Sequence, residues 1–180
     1  MIDELRQFRR IGPWPPGYDV NRVTLWAPQD DVRGALLTLI RSASRSLIIA
    51  MFGFADDELA AAVGERMDDP DCYVALTLDS VQAAGAHERA ILDKAAYPSN
   101  SVAIGRSEGG SIMHLKLLIA NGVLTGTGSL NWSLDAARKQ DNELTIVYDP
   151  VFAADARAKA DLVHESILTR QAAAVRKAGQ

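Results

Sequence analysis

Apolar residues recur at intervals of three and four through Val32, Ala35, Leu36, Leu39, Ile40 and Ala43. That spacing lines one side of a helix and predicts a core-facing one, with Asp30 as its N-cap. Ahead of it, Val23-Thr24-Leu25-Trp26 reads as a strand. Behind it, the run from Ser46 to Phe52 is apolar almost without interruption, the pattern of a strand buried on both faces, for which a parallel sheet is the natural host. The alternation continues with a helix over 56–67, a strand over 73–78, a helix over 86–97 and a short strand over 102–104. Three further strands follow at 111–120, 123–129 and 143–148, and a long helix over 155–177 closes the chain. The class is α/β.

Residues 1–22 read as an N-terminal extension, because Gly12-Pro13-Trp14-Pro15-Pro16-Gly17 forbids a continued helix; residues 23–180 form the domain. At 180 residues and 48% hydrophobic, the chain has the size and composition of one globular unit. No apolar run approaches the ~20 residues of a membrane span, and the N-terminus lacks the layout of a secretory signal. The expectation is a cytoplasmic protein that does not engage membranes. Cys72 is the single cysteine, which excludes an internal disulfide, and its apolar neighbours point to packing. A net charge of -4 argues against polyanion binding through the global field and leaves only a local basic site.

The chemistry gathers between His114 and Glu143. His114 and Lys116 lie two apart, so in a strand they share a face. Asn121-Gly122 is a strong hairpin signal, since both residues accept positive φ. A two-residue loop there pairs Lys116 with Thr127 and His114 with Ser129. Gly126 and Gly128 would let an anion approach the backbone, and Ser129 and Asn131 would offer it hydrogen bonds. An imidazole to attack phosphorus, an ammonium to balance the oxygens and polar donors to hold them together suit a phosphoryl ligand and need no metal. Glu143 is the carboxylate best placed by strand logic to orient the histidine.

These residues resemble the phospholipase D superfamily, whose signature is His-x-Lys, four residues, Asp, then Gly-Ser-x-Asn. The chain has His114-x-Lys116, four residues, Asn121, and then Gly128-Ser129-x-Asn131. Asn121 stands where the signature has Asp, and as a turn residue with Gly122 it is expected to be tolerated. The layout, including Ala50-Met51-Phe52-Gly53-Phe54-Ala55-Asp56, is similar to the small single-motif bacterial endonucleases of that superfamily. The resemblance implies a mixed sheet flanked by helices on both faces and a metal-independent phosphodiesterase without a cofactor. It implies two copies of the motif, one histidine as nucleophile and the other as general acid. Since His87 and His164 sit in helical segments without a supporting motif, one chain supplies one such histidine, and a symmetric homodimer is expected.

Nucleic acid is the expected substrate, cut through a phosphohistidine, with Arg106, Arg138 and Lys139 as candidate backbone contacts. Trp132 is expected in the core. Two other functions fit the same residues: a phospholipid hydrolase or phosphatidyl transferase, and a noncatalytic nucleic-acid-binding remnant.

Overall fold

The computed structural model describes residues 2–178. A short helix α1 (Ile2–Leu5) and a 3-10 turn (Arg6–Phe8) precede β1 (Arg22–Ala27), α2 (Val32–Arg41), β2 (Ser46–Met51), β3 (Phe54–Ala55) and α3 (Asp57–Met67). Next come β4 (Tyr73–Asp79), α4 (Ser80–Ala83), α5 (Ala86–Ala95) and β5 (Val102–Gly105). The chain closes with β6 (Lys116–Ala120), β7 (Leu124–Gly128), β8 (Trp132–Ser133), α6 (Leu134–Arg138), β9 (Asn142–Tyr148) and α7 (Pro150–Ala178). Among the described residues, no helix is long and apolar enough to cross a membrane.

Seven strands form one sheet in the order β1-β9-β7-β6-β2-β4-β5, and β3 with β8 forms a small second one. The apolar run of β2 is buried as its composition demands. Leu47, Ile49 and Met51 enter the larger core beneath α2, α3 and α5, while Ile48 and Ala50 enter the second core against α7. The host sheet is mixed: β2 is parallel to β4 and antiparallel to β6. Helices cover both faces, as the resemblance implied. Residues 2–8 fold back so far that Leu5 is fully buried in the larger core.

The α2 stripe is buried as its spacing predicts, but its cap is corrected by one residue. Asp31 accepts the Gly34 N–H at 2.9 Å. Asp30 instead joins the N-terminal segment to β1, accepting from the backbone N–H of Arg10 at 2.6 Å, Ile11 at 3.1 Å and Trp26 at 2.9 Å. The hairpin register is also corrected. Ala120 pairs with Leu124 and Leu118 with Gly126, so three residues, Asn121 to Val123, span the turn. The alternation is therefore offset by one residue, and His114 is not paired with Ser129.

The reason lies in Asn121. Its φ is 57°, and its side chain closes the α2–β2 connection by accepting the N–H of Ser44 and of Arg45, each at 2.9 Å, and donating to the Ser42 carbonyl at 3.0 Å. Asp at this position keeps both acceptor bonds, strengthened by charge, and loses the donor; Ala loses all three and strains the backbone. Asn121→Asp is therefore expected to shift stability by no more than about 1 kcal/mol, and Asn121→Ala to cost about 2–4 kcal/mol, lowering Tm by roughly 4–15 °C. The turn lies about 20 Å along the strand from His114, so Asn121→Asp should leave any rate that depends on His114 within tenfold of the parent. Melting curves and rates on the two variants check both statements.

Candidate active site

The strand directions collect the signature at one rim of the sheet. β2, β4 and β7 end there, at Met51, Asp79 and Gly128, and β6 and β9 begin there, at Lys116 and Asn142. His114 precedes β6 in extended chain, is exposed, and packs edge-on against the Phe52 ring at 4.6 Å between centroids. Lys116 is only 9% exposed. Its Nζ donates to His114 Nε2 at 3.1 Å and to the His114 carbonyl at 3.3 Å, and lies 4.9 Å from the Phe52 ring centre.

Burial holds the Lys116 pKa below its ordinary value. With an ammonium as donor, Nε2 is the accepting nitrogen and the ring proton sits on Nδ1. The lone pair suited to attack phosphorus is thus the one pointed at the cation. An arriving phosphate would compete for the ammonium and release Nε2.

Ser129 follows the end of β7 at the same rim. Its Oγ donates to Asn142 Oδ1 at 3.0 Å and accepts the Glu143 N–H at 3.0 Å, and its N–H donates to the Glu143 carbonyl at 3.1 Å. Asn131 packs on Gly53, and its buried Oδ1 has no hydrogen-bond partner. The Glu143 carboxylate is turned to the opposite side, where it accepts from Thr145 Oγ1 at 2.5 Å. Among the described residues no hydrogen bond joins it to His114; the His114 ring is met by Lys116 and Phe52.

Gly126 is buried under Leu39, so the expectation that it lets a ligand approach is corrected. Arg106 donates to the Gly110 carbonyl, Lys139 pairs with Asp135 at 2.7 Å, and Arg138 lines a cleft with Arg10 and Asp31. None of the three has a hydrogen bond to the His114–Lys116 pair among the described residues. His164 is buried, with its Nδ1 2.8 Å from Thr77 Oγ1 and its pKa lowered by burial. Trp132 and Cys72 are buried. No cluster of three or more His, Cys, Asp or Glu among the described residues could hold a metal ion.

Two buried carboxylates that the sequence did not flag support the rim. Asp79, fully buried, caps α4 through the Val81 N–H and accepts the N–H of Met113, the residue before His114, at 2.8 Å. Glu88 on α5 accepts the Phe54 N–H at 3.0 Å, and its other oxygen is buried without a partner. Burial first, and then the charge of Asp79, push the Glu88 pKa up to about 7 against the pull of the Phe54 N–H and His87. A carboxyl raised on folding stabilises fully below its unfolded pKa and loses that contribution as pH rises through the folded value. Over that window the loss reaches at most about 3 kcal/mol. Glu88→Gln removes the titration, so the stability of the variant minus that of the parent should rise by about 2–3 kcal/mol between pH 5 and pH 8. Urea unfolding at the two pH values checks this, and identical pH dependence in both proteins would contradict it.

With the geometry described, comparisons place the protein in a family. Residues 36–162 match the family described as "Cardiolipin synthase, PLD-like domain". The chain belongs to this phospholipase D-like family. Its fold is similar to that of Nuc from Salmonella typhimurium, a phospholipase D family member, with a TM-score of 0.70, 18% identity, and 81% of this chain and 94% of that chain covered. NucT from Helicobacter pylori superposes with a TM-score of 0.68 at 22% identity, covering 81% of this chain and 96% of that one. Phosphatidylserine synthase from Haemophilus influenzae Rd KW20 gives 0.58 at 13% identity, covering 77% of this chain and 37% of that one. Among curated proteins none matches the chain significantly.

Proposed function

We propose that the protein is a metal-independent phosphodiesterase that cuts nucleic acid through a phosphohistidine, and that two chains share one site. The observation that carries the reading is the contact of Lys116 Nζ with His114 Nε2, a cation poised beside a nucleophilic lone pair at the rim where Ser129 and Asn131 also lie. His114 Nε2 attacks phosphorus, forming a P–N bond as the bond to the leaving oxygen breaks. Lys116 and its symmetry copy balance the charge on the phosphoryl oxygens. The partner subunit's His114 donates a proton to the leaving oxygen, then takes one from the water that cleaves the P–N bond. Glu143 would serve as the orienting carboxylate of a histidine once substrate and partner complete the site.

A homodimer follows from this division of labour, since His87 is committed to the Ala55 carbonyl and His164 is buried with Thr77. A nucleic-acid substrate is favoured over a lipid by size: this chain spans nearly all of Nuc and NucT and about a third of phosphatidylserine synthase. The family description, which names a cardiolipin synthase, makes the lipid reading the one to test beside it. Purified protein in EDTA should cleave labelled DNA or RNA and leave phosphatidylglycerol and phosphatidylcholine vesicles intact. Cleavage of lipid alone would establish the second reading, and inertness toward both the remnant. Dilution with exchangeable His114→Ala subunits should suppress activity beyond simple dilution, whereas a fully active monomer would exclude the shared site.

A further inference from the structure

One sheet face next to this site is bare and chemically distinctive. Along β1, Val23, Leu25 and Ala27 are buried in the core, so Arg22, Thr24 and Trp26 point the other way. Register sets Trp26 opposite Glu143 and Thr24 opposite Thr145, with the two threonine hydroxyls 2.9 Å apart. On this side of the sheet α7 packs against β2, β4, β5, β6 and β7. Arg9, Pro15 and Tyr18 of the N-terminal segment rim what is left, making an open groove of about 490 Å³ with Arg22, Trp26 and Glu143. Its walls come largely from residues ahead of position 36, where the family match begins.

We propose that this groove binds a single-stranded segment of nucleic acid flanking the scissile phosphate, with Trp26 stacking on a base and Arg9 and Arg22 contacting phosphates. The proposal rests on the nuclease reading of the site. Trp26 is 44% exposed, which leaves part of its ring open to a stacking partner. The Arg9 guanidinium lies 4.4 Å from the Trp14 ring centre and that of Arg22 lies 5.2 Å from the Tyr18 ring centre. These contacts fix their direction without neutralising them: neither has an ion-pair partner among the described residues, whereas Arg6, Arg10 and Arg33 are paired with Asp3, Asp31 and Asp56. The groove's single carboxylate, Glu143, is held by Thr145.

Guanidiniums beside an exposed aromatic ring form the platform that binds unpaired strands without sequence preference. A duplex hides its base faces and gains nothing from the ring. The groove opens at the same rim of the sheet as the site, on the opposite face, to which the Glu143 carboxylate is turned. Glu143 lies on its floor, and the same residue's backbone is bonded to Ser129 on both sides. Strands β9 and β7 lie between β1 and β6, so a bound strand would run at least three strand spacings, about 14 Å, around the rim from Trp26 to His114. A few nucleotides span that distance.

The test uses His114→Ala protein, which holds substrate without cutting it, and the wild type in parallel for cleavage. Affinity for a dinucleotide and for a 12-residue oligothymidylate is measured by fluorescence anisotropy, with EDTA present. The 12-mer should bind at least about tenfold more tightly than the dinucleotide, and Trp26→Ala should cut that ratio by roughly fivefold or more. Trp26→Phe should largely preserve the ratio, and Arg9→Gln with Arg22→Gln should lower it and flatten its salt dependence. An unchanged ratio in folded Trp26→Ala protein, or the same loss for duplex DNA, would overturn the groove. Wild-type protein that cleaves no nucleic acid while the ratio still depends on Trp26 would overturn the nuclease reading and leave the groove standing.

Discussion

His114→Ala is expected to lower EDTA-resistant phosphodiesterase activity by about a thousandfold or more, with the fold intact. The side chain is exposed, and among the described residues its ring contact is with Phe52 and its side-chain hydrogen bond with Lys116, so its removal should change stability by less than about 1 kcal/mol. The chemistry gives the variant no second route. Lys116 cannot replace it, because its ammonium has no free electron pair, and His164 is buried with Thr77 on the far side of the sheet. Acid-labile, alkali-stable labelling of the wild type by a substrate carrying phosphorus-32, absent from the variant, would connect the loss to a P–N bond. A folded His114→Ala protein that retains parental activity in EDTA would defeat the assignment.

Gly128→Ala is expected to be the most damaging single methyl addition in the site. Gly128 has a φ of 152°, and a Cβ there would fall 2.2 Å from the Glu143 carbonyl oxygen and 2.9 Å from its carbonyl carbon. Both neighbours are main chain within β9, whose ladder to β1 and β7 keeps them from retreating. Either the two strands part at the rim or the residue leaves its conformation. Both routes break the paired hydrogen bonds between Ser129 and Glu143. The cost should be about 3–5 kcal/mol, or roughly 6–20 °C in Tm, with activity falling further than stability because Ser129 moves relative to His114. Calorimetry and rates below the new midpoint separate the two effects. A melting point within 2 °C of the parent, on the order of 1 kcal/mol, would show that β9 yields.

The sequence carries the elements well because their periodicities are strong. The three-four spacing of α2, the unbroken apolar run of β2 and the Asn-Gly turn each state a local geometry that the sheet then accepts. What it hides is set by single atoms at long range. The turn takes three residues because the Asn121 side chain is recruited by Ser42, Ser44 and Arg45, nearly eighty positions away, and that shift moves His114 off Ser129. Asp79 and Glu88 look like ordinary acids until the fold buries them against Met113 and Phe54. Glu143 lies on the predicted strand, yet the side its carboxylate takes depends on Thr145. Gly128 stands in the motif as a place for a ligand, and the structure adds a second reason for it, a carbonyl that leaves no room for a methyl group.

The pairing of β1 with β9 also constrains how the protein is made. A ribosome releases residues 22–27 early, but the strand that must pair with them emerges more than a hundred residues later, about 6–25 s at ordinary rates of synthesis. Until then the hydrogen-bonding edge of β1 has no native partner, although α1 and α2, which pack against the strand, are already made. The nascent chain therefore carries an unpaired strand edge throughout that interval. This interval is when a holdase chaperone, or a second nascent chain, would find it.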